Sequence, residues 1–512
     1  MHADFSASSD EQSPTSSGPW YKELNRYHWF VFVVAALGWL FDTMDQQLFN
    51  LARPLAMNEL ISVQSLNESE MPGSRRIELE KLWNASQTQD PAAATAVDEK
   101  VLLPPGPAEF EKQYLTSDES KFLGAKRKDY GGYATSVFLI GWATGGLFFG
   151  VLGDRWGRVK TMLATIIVYS IFTGLSALST GFWDFCFWRF MTGLGVGGEF
   201  AVGVSLVAEV MPSRARPHAL GLLQALSAVG NITAALIGMA GTSWRVMFLI
   251  GTAPALLSLF VRRRLKEPER WQSVSATEGV AKQLGSYSEL FGNPELRYRA
   301  LIGLLLASAG VIGLWGIGFF APDLQREVFK PVFEAEGLKG LELEATMKRW
   351  SGITSLVLNV GAFFGIFMFS YVSAFLGRKP TFAICFVGAM FATMNVYWNL
   401  GRFNGVYDIF WMVPLMGFFQ LSIFGGYAVY FPELFPTRLR STGTSFCYNV
   451  GRFVAALGPF TLGKLIRYVY SGPGYEGVMS FRYAGVTMCG IFLLGLLAVP
   501  FAPETKGKPL PE

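Results

Sequence analysis

Long apolar runs limit the folds open to this chain more than any other feature of its sequence. A helix that crosses a bilayer needs about 20 mostly apolar residues. Twelve such runs occur, at residues 29–52, 130–152, 161–180, 183–208, 217–240, 245–261, 299–321, 351–373, 381–400, 409–431, 441–467 and 481–501. Because none shows the period-two alternation of a membrane β-strand, they predict an all-α membrane protein with twelve transmembrane helices.

Composition excludes several other classes of protein. Apolar residues make up 51% of the 512 and charged residues only 16%, whereas soluble domains carry about 25% charge. The formal net charge of +4 is small and scattered, so no nucleic-acid partner is expected. The four cysteines lie within apolar runs without a CxxC spacing, and the three histidines are dispersed. We therefore expect no metal and no cofactor.

Lysine and arginine are concentrated on one side of the predicted membrane. With the N-terminus inside, the inner connections contain Arg155, Arg158, Lys160, Arg214, Arg216, Arg262, Arg263, Arg264, Lys266, Arg378, Lys379, Arg438 and Arg440. The short opposite connections hold little beyond Arg245 and Arg402. The positive-inside rule thus predicts a multi-pass protein of the plasma (inner) membrane with both termini cytoplasmic.

The polar segments divide the chain into units. The predicted units are a disordered cytoplasmic tail at 1–27, an N-terminal six-helix bundle at 28–261, a cytoplasmic linker at 262–298, a C-terminal six-helix bundle at 299–501 and a cytoplasmic tail at 502–512. A further polar stretch, 322–350, is expected outside the membrane, with a helix after span seven.

A long extracytoplasmic insertion, 53–129, interrupts the first bundle. Residues 75–83 are expected to form a short helix and residues 91–107 a loop. Asn67 and Asn84 stand in patterns that accept glycosylation, but short patterns of this kind also occur by chance, and the sequence leaves both readings open.

Two motifs recur at nearly the same spacing. The sequence Glu209-Val-Met-Pro-Ser-Arg-Ala-Arg216 returns as Glu433-Leu-Phe-Pro-Thr-Arg-Leu-Arg440, 224 residues later. Gly157-Arg158 returns as Gly377-Arg378, 220 residues later. The agreement predicts two pseudo-repeated six-helix bundles with a ligand site between them near the bilayer midplane.

Three motifs carry a family resemblance. The segment from Gly150 to Lys160, GVLGDRWGRVK, resembles the loop-two signature of the major facilitator superfamily. The segment from Arg189 to Glu199, RFMTGLGVGGE, resembles its fourth-helix motif, and Pro503-Glu-Thr-Lys-Gly507 is similar to the tail signature of its sugar porters. The resemblance covers about four-fifths of the chain and implies the major facilitator fold.

Subfamily features point to acid carriers. Asp42-Thr-Met-Asp45 and Tyr448-Asn-Val-Gly-Arg452 resemble sequences of the metabolite–proton, aromatic-acid–proton and sialate symporters, and the long first loop is similar to that of the animal organic-ion transporters. Span seven lacks the glutamine pair that grips a hexose in sugar porters, which argues against a neutral sugar.

Five charged residues lie well inside predicted spans: Asp42, Asp45, Arg189, Glu199 and Arg452. Each costs about 2.5–3.5 kcal/mol at the bilayer centre unless it is paired or wet, so such residues indicate function. Asp42 and Asp45 share one face of helix one, and two neighbouring carboxylates are not both ionised cheaply. We expect proton coupling there, chiefly at the deeper Asp42, with a solvated Asp45 at the outer rim as the alternative. The resemblance implies a proton-transfer role for Arg189, and Glu199 is a further candidate.

Arg452 is the principal substrate-binding candidate. A guanidinium pairs with a carboxylate through two parallel hydrogen bonds, and the resemblance implies that this position contacts an anionic substrate. A salt bridge to an aspartate of helix one or to Glu199 is the alternative. Further candidates are Gln224, Gln420, Tyr448, Asn449 and Trp315, although Trp315 is equally compatible with a lipid-facing position.

The loop motifs predict an inner gate. In the family pattern Asp154 caps the start of helix eleven, where the helix dipole favours an anion, and Arg155 and Arg158 reach nearby acids. Glu209 is expected to pair with Arg214 or Arg216, and Glu433 with Arg438 or Arg440. The remaining gate residues are Gly150, Gly157, Gly377 and Arg378. Because Ala374 occupies the position matching Asp154, the first half is expected to contribute more of the lock.

These features favour a secondary active transporter that carries a small carboxylate-bearing metabolite with protons. The expected partners are that small molecule, protons and the lipid bilayer, and the protein is expected to be monomeric. A sugar or organic-cation carrier and a non-transporting receptor on the same scaffold are the alternatives. An enzyme is disfavoured because no loop contains a nucleophile–base pair or metal spacing.

Overall fold

The computed structural model describes residues 18–63, 71–87, 107–254, 265–277, 283–455, 458–475 and 478–511. Every structural statement below refers to these ranges. Their α-helices, in chain order, are α1 (Arg26–Leu60), α2 (Gly73–Gln87), α3 (Pro107–Tyr114), α4 (Ser117–Arg155), α5 (Arg158–Ser176), α6 (Phe182–Val210), α7 (Arg216–Met239), α8 (Trp244–Ile250), α9 (Glu269–Ala276), α10 (Tyr287–Gly292), α11 (Pro294–Gly316), α12 (Ala321–Ala335), α13 (Gly340–Leu376), α14 (Arg378–Asn399), α15 (Ile409–Leu434), α16 (Arg440–Ala455), α17 (Gly458–Lys464), α18 (Val478–Met488) and α19 (Ile491–Ala498).

Ten helical stretches in the described ranges are long and apolar enough to cross a membrane. They coincide with ten of the twelve predicted runs. The predicted runs at 245–261 and 441–467 contain α8 and α16–α17 respectively, and each also includes residues outside the described ranges. The helix predicted after span seven is α12, which follows α11 through a short 3₁₀ turn at Gly318–Phe320.

Several helices extend beyond the bilayer. At about 1.5 Å per residue, the 35 residues of α1 and the 39 of α4 exceed a hydrocarbon core of about 30 Å. The predicted insertion boundaries are therefore too wide, because polar residues continue a helix once it reaches water. Thr116 caps α4, and its capping box with Glu119 fixes the true start of that helix.

The insertion is partly helical. The predicted helix at 75–83 lies within α2, and α3 follows just before α4. Most of the predicted loop at 91–107 lies outside the described residues, as does Asn67. Asn84 lies in α2.

The internal repeat extends to the helix packing. Gly145 of α4 contacts the backbone of Leu194 in α6 so closely that a Cβ would overlap it. Gly365 of α13 contacts the backbone of Phe418 in α15 in the same way. These pairs stand 220 and 224 residues apart, the offsets of the loop motifs. Small residues permit such close approach of membrane helices, so each half is built on the same helix pair.

Part of the predicted disordered tail is ordered. Residues 20–23 form a 3₁₀ turn, and Asn25 caps α1. The indole Nε1 of Trp20 donates to the hydroxyl of Tyr371, 3.1 Å away, and its ring stacks on His218. These contacts anchor residues 18–27 to both halves of the protein. Residues 1–17 lie outside the described ranges.

Candidate functional site

A cavity of about 750 Å³ lies between the two halves. We call the end that carries the insertion the insertion end, and the end that carries residues 265–277 the linker end. The lining runs from Arg452 and Gln224 in the middle of the protein to Pro54, Lys348 and Arg349 at the insertion end, where those last three side chains are exposed. This volume matches a small-molecule site.

The ionisable lining of the cavity is mostly basic. Arg53, Lys348, Arg349 and Arg452 line it, and Asp323 is the one carboxylate among the described lining residues. Like charges lining a cleft with low-dielectric walls concentrate ions of the opposite sign. The cavity therefore attracts anions and repels cations.

Arg452 is a buried cation at the cavity, 1% exposed. Its Nη1 donates to the carbonyl of Tyr448 at 2.6 Å and to Oδ1 of Asn449 at 3.2 Å. Its guanidinium lies 4.0 Å from the ring centre of Trp142 and 4.1 Å from that of Tyr448. Its Nε has no hydrogen-bond partner in the described structure, and no described carboxylate forms an ion pair with it. The alternative of an internal salt bridge is thus not realised in this conformation.

Three of the other predicted substrate residues reach the cavity: Gln224, Tyr448 and Trp315. Trp315 packs edge-on against Trp142, with ring centres 5.7 Å apart, so its lipid-facing alternative is wrong.

Gln420 and Asn449 are not among the lining residues, which corrects their assignment to the substrate site. Nε2 of Gln420 donates to Thr393 at 2.7 Å, and Nδ2 of Asn449 donates to the hydroxyl of Ser445 at 3.0 Å. Their amides take part in hydrogen bonds within the helix packing, which is why they lie outside the cavity.

The two aspartates of α1 are fully buried. Asp42 accepts a hydrogen bond from Nε2 of Gln46 at 3.2 Å. Asp45 lies 3.9 Å from Nη1 of Arg189. A solvated Asp45 at the outer rim, the alternative left open by the sequence, is therefore wrong.

Arg189 and Glu199 lie within the first half, outside the cavity lining. Nε of Arg189 donates to Ser176 at 2.9 Å, and its guanidinium lies 4.5 Å from the ring centre of Phe248. Oε2 of Glu199 accepts from the hydroxyl of Thr165 at 2.7 Å, while its Oε1 has no partner in the described structure. Asp45 and Arg189 thus form a buried pair, with Glu199 a further buried acid of the same half.

At the linker end, Asp154 of the first half caps α16 of the second. Its carboxylate accepts from the backbone N–H of Ser441 at 3.1 Å and of Thr442 at 2.8 Å. The hydroxyl of Thr442 donates to it as well, and Arg158 pairs with it at 2.8 Å. This is the arrangement that the loop motif predicts, and the anion sits at the positive end of the helix dipole.

The predicted partners of the two gate glutamates are wrong. Glu209 pairs with Arg158 and, across the halves, with Arg440, each at 2.8 Å. Glu433 pairs with Arg378 at 2.7 Å. After each glutamate the chain leaves its helix in an extended conformation, which carries the arginines that follow in sequence away from it.

Those displaced arginines have other partners. Arg214 pairs with Glu23, and Arg438 pairs with Glu289. Arg155 donates to the carbonyl of Leu284 instead of an acid, and Arg216 donates weakly to the carbonyl of Met211 at 3.4 Å. Gly150 packs against Ser445 of α16, where a Cβ would lie 2.6 Å from the Ser445 Cβ.

Comparison with known proteins identifies the family. The model of the Major Facilitator Superfamily matches residues 122–459. A putative metabolite transport protein of Haemophilus influenzae is 31% identical over 389 residues, covering 74% of this chain and 88% of the relative. This chain belongs to the major facilitator superfamily.

Two further similarities agree with this assignment. The cis,cis-muconate transport protein of Acinetobacter baylyi is 29% identical over 386 residues, covering 74% of this chain and 86% of the relative. The fold is similar to that of a proton:xylose symporter, with a TM-score of 0.63 at 16% identity, covering 94% of this chain and 98% of the other. This facilitator is an integral membrane transporter of small molecules and not an enzyme.

Two glutamates that the sequence analysis did not place at the gate support it. The Glu267 carboxylate accepts from the backbone N–H of Val159 and Lys160 at the start of α5. The Glu504 carboxylate, in the tail motif, accepts from Arg378 and Lys379 at the start of α14. The signal for both was available, since each acid follows the last helix of its half beside a proline.

Glu504 lies outside the membrane-spanning segments and has a perturbed acidity. Burial raises the pKa of its carboxyl, but the backbone N–H groups of Arg378, Lys506, Lys379 and Thr505 outweigh burial and hold the pKa below its usual range. The carboxylate is therefore ionised when it caps α14.

Proposed function

We propose that this facilitator carries a small carboxylate-bearing metabolite together with protons, by alternating access of one central site. The observation on which the proposal rests is Arg452, a buried guanidinium at the cavity whose Nε lacks a partner and which has no ion pair with a described carboxylate. A buried charge is stable only when it is paired or hydrogen-bonded. A substrate carboxylate supplies that missing partner through charge-assisted hydrogen bonds.

Two observations support an anionic substrate. Four basic residues and one acidic residue line the cavity among those described, which also argues against an organic cation. The relative from Acinetobacter baylyi is named for cis,cis-muconate, which is a dicarboxylate. Gln224, Tyr448 and Trp315 are the further lining residues that we assign to substrate contact.

The buried acids of the first half support proton coupling. Asp42, Asp45 and Glu199 are at most 1% exposed, and only Asp45 lies near a cation of its own half. An ionised carboxylate without a nearby cation is unfavourable in the membrane interior, and a bound proton relieves it. We assign proton binding to these three acids, with Arg189 modulating Asp45.

The excess of basic residues at the linker end supports a cytoplasmic location for that end and for both termini, in the plasma (inner) membrane. In that orientation the cavity opens outward and the gate at the linker end is closed. Breaking the gate pairs is then the step that opens the site to the cytoplasm. We further propose that one chain suffices, because the cavity is built within one molecule.

Uptake by purified protein in liposomes tests the proposal. A panel of labelled carboxylates, hexoses and amines is supplied with and without an inward proton gradient, and we expect accumulation of carboxylates only, driven by the gradient. Arg452→Gln is expected to lower carboxylate kcat/KM roughly 10- to 100-fold, the worth of a hydrogen bond to a charged group. Asp42→Asn is expected to abolish gradient-driven accumulation.

Arg326→Gln is the matched control, because it removes an exposed arginine that pairs with Glu344 at the surface. It should leave uptake unchanged. Gradient-independent uptake of a neutral hexose, with no carboxylate transported, would refute both the substrate class and the coupling.

A further inference from the structure

Gln46 connects a buried carboxylate to the cavity. It stands one helical turn after Asp42 on α1, and its Nε2 donates to Oδ2 of Asp42 at 3.2 Å. Gln46 lines the cavity, whereas Asp42, which is 0% exposed, does not. The other oxygen of Asp42, Oδ1, has no hydrogen-bond partner in the described structure. The amide of Gln46 is thus the polar link between Asp42 and the substrate space.

A primary amide has a donor end and an acceptor end, so its orientation depends on the group it faces. An ionised Asp42 only accepts, and Gln46 must then turn its NH2 group toward the carboxylate. A protonated Asp42 carries an O–H donor, which fits the carbonyl oxygen of Gln46. The terminal torsion of a glutamine is broad and roughly two-fold, so protonation is able to reverse the amide without displacing the helix.

We propose that Gln46 is the positioning residue that transmits the protonation of Asp42 to the substrate site. This rests on the proposed function, because it names the element that couples the proton to the carboxylate. With Asp42 ionised, the amide offers the cavity its carbonyl oxygen, which repels an anion. With Asp42 protonated, the amide offers its NH2 group, which binds one. The proton comes from cavity water and returns to water after release.

The surroundings of Asp42 leave this role to Gln46. The ionisable side chains that interact electrostatically with Asp42 are Asp45 of α1, Tyr169 of α5, Glu199 of α6, and Tyr448 and Arg452 of α16. Within the described ranges none of these forms a hydrogen bond with it, and Gln46 does. Their charges influence how readily Asp42 binds a proton, but the amide converts that proton into a change of hydrogen-bonding groups at the cavity.

Adjacent glutamines provide a matched pair of variants. Gln46→Met keeps the length of the side chain and removes both ends of the amide. Gln47 also lines the cavity, but its Nε2 donates to Ser355 of α13 at 3.4 Å. Gln47→Met is therefore the control, since it removes a cavity amide that makes no hydrogen bond to Asp42.

Binding of cis,cis-muconate and of benzoate to the purified full-length protein is measured across a range of pH by quenching of tryptophan fluorescence. Trp39, Trp142 and Trp315 line the cavity and report occupancy. In the unmodified protein, affinity is expected to rise at least about tenfold as the pH falls, within the usual range of coupling between two sites. Gln46→Met should reduce that rise to less than about twofold, whereas Gln47→Met should keep it and weaken binding at every pH.

A double-mutant cycle with Asp42→Asn covers the case in which Gln46→Met alone is poorly folded. Asp42→Asn should flatten the pH profile, and adding Gln46→Met should change the profile no further, because both residues act through one hydrogen bond. A pH profile in Gln46→Met as steep as in the unmodified protein would overturn the inference and leave the proposed function intact. If neither carboxylate binds the unmodified protein at any pH, the proposed function fails, and this inference fails with it.

Discussion

Oε1 of Glu209, at the end of α6 in the first half, accepts a hydrogen bond of 2.8 Å from Nη1 of Arg440, at the start of α16 in the second half. Neither side chain has any exposed surface. The same oxygen also accepts from Arg158 at 2.8 Å. One carboxylate therefore holds a guanidinium from each half, and it closes the linker end while the cavity stays open at the insertion end.

Glu209→Gln should weaken this closure. Removing one partner of a buried ion pair destabilises by about 3–5 kcal/mol, and here two guanidinium groups lose their shared anion. We expect the halves to separate at the linker end and the cavity to narrow at the insertion end. An Ala345→Cys reporter at the cavity should then be labelled at least about tenfold more slowly by an impermeant maleimide. The native cysteines in the described structure are buried.

The control for that measurement is Glu344→Gln, which breaks the exposed pair with Arg326 and should leave the labelling rate unchanged. Equal labelling in Glu209→Gln and in the unmodified background would show that the bridge does not hold this state.

Gly157→Ala should be more destabilising than Gly241→Ala. Gly157 has φ 108° and ψ 159°, a region that only glycine occupies readily, with a penalty of about 1–3 kcal/mol for other residues. A Cβ there would also collide with the Glu267 carboxylate that caps α5, which adds about 1 kcal/mol of lost capping.

Gly241 is the matched comparison, with φ 75° and nothing within 4 Å of an added Cβ. Its substitution carries only the left-handed strain of about 1–2 kcal/mol. Thermal unfolding of both variants in detergent checks this order. Equal melting temperatures would mean that the Glu267 cap contributes nothing to stability.

Glu504→Gln should destabilise the protein in a pH-dependent way. The folded pKa of Glu504 is lowered, so the ionised carboxylate stabilises the folded state. That contribution is fully present above the ordinary glutamate pKa of about 4.3, and it is lost as the pH falls through the lowered folded value. The difference in melting temperature between the unmodified protein and the variant should therefore be large at neutral pH and vanish in acid.

Glu336→Gln, at an exposed position on the insertion side, is the control and should show no difference at either pH. A gap for Glu504→Gln that persists unchanged into acid would indicate that the carboxylate charge is not what stabilises the start of α14.

The sequence predicted the parts of the site that depend on local pattern. The run around Asp42 and the motif around Asp154 gave their burial and the helix cap, because hydropathy and a helix start are readable within a few residues. It did not predict that Arg158 and Arg440 converge on Glu209, since the two arginines stand 282 positions apart. Among the polar candidates, it did not separate Gln224, which reaches the cavity, from Gln420, which hydrogen-bonds Thr393.

By itself, the sequence determined the helical membrane architecture and its duplication. A bilayer imposes a fixed length of apolar helix, and two copies of one unit keep their spacing. Only the tertiary structure decided which charges meet, which amides face the cavity, and that Arg452 has no carboxylate beside it among the described residues. Those outcomes depend on the rotation and approach of helices from distant parts of the chain, and residue order does not specify them.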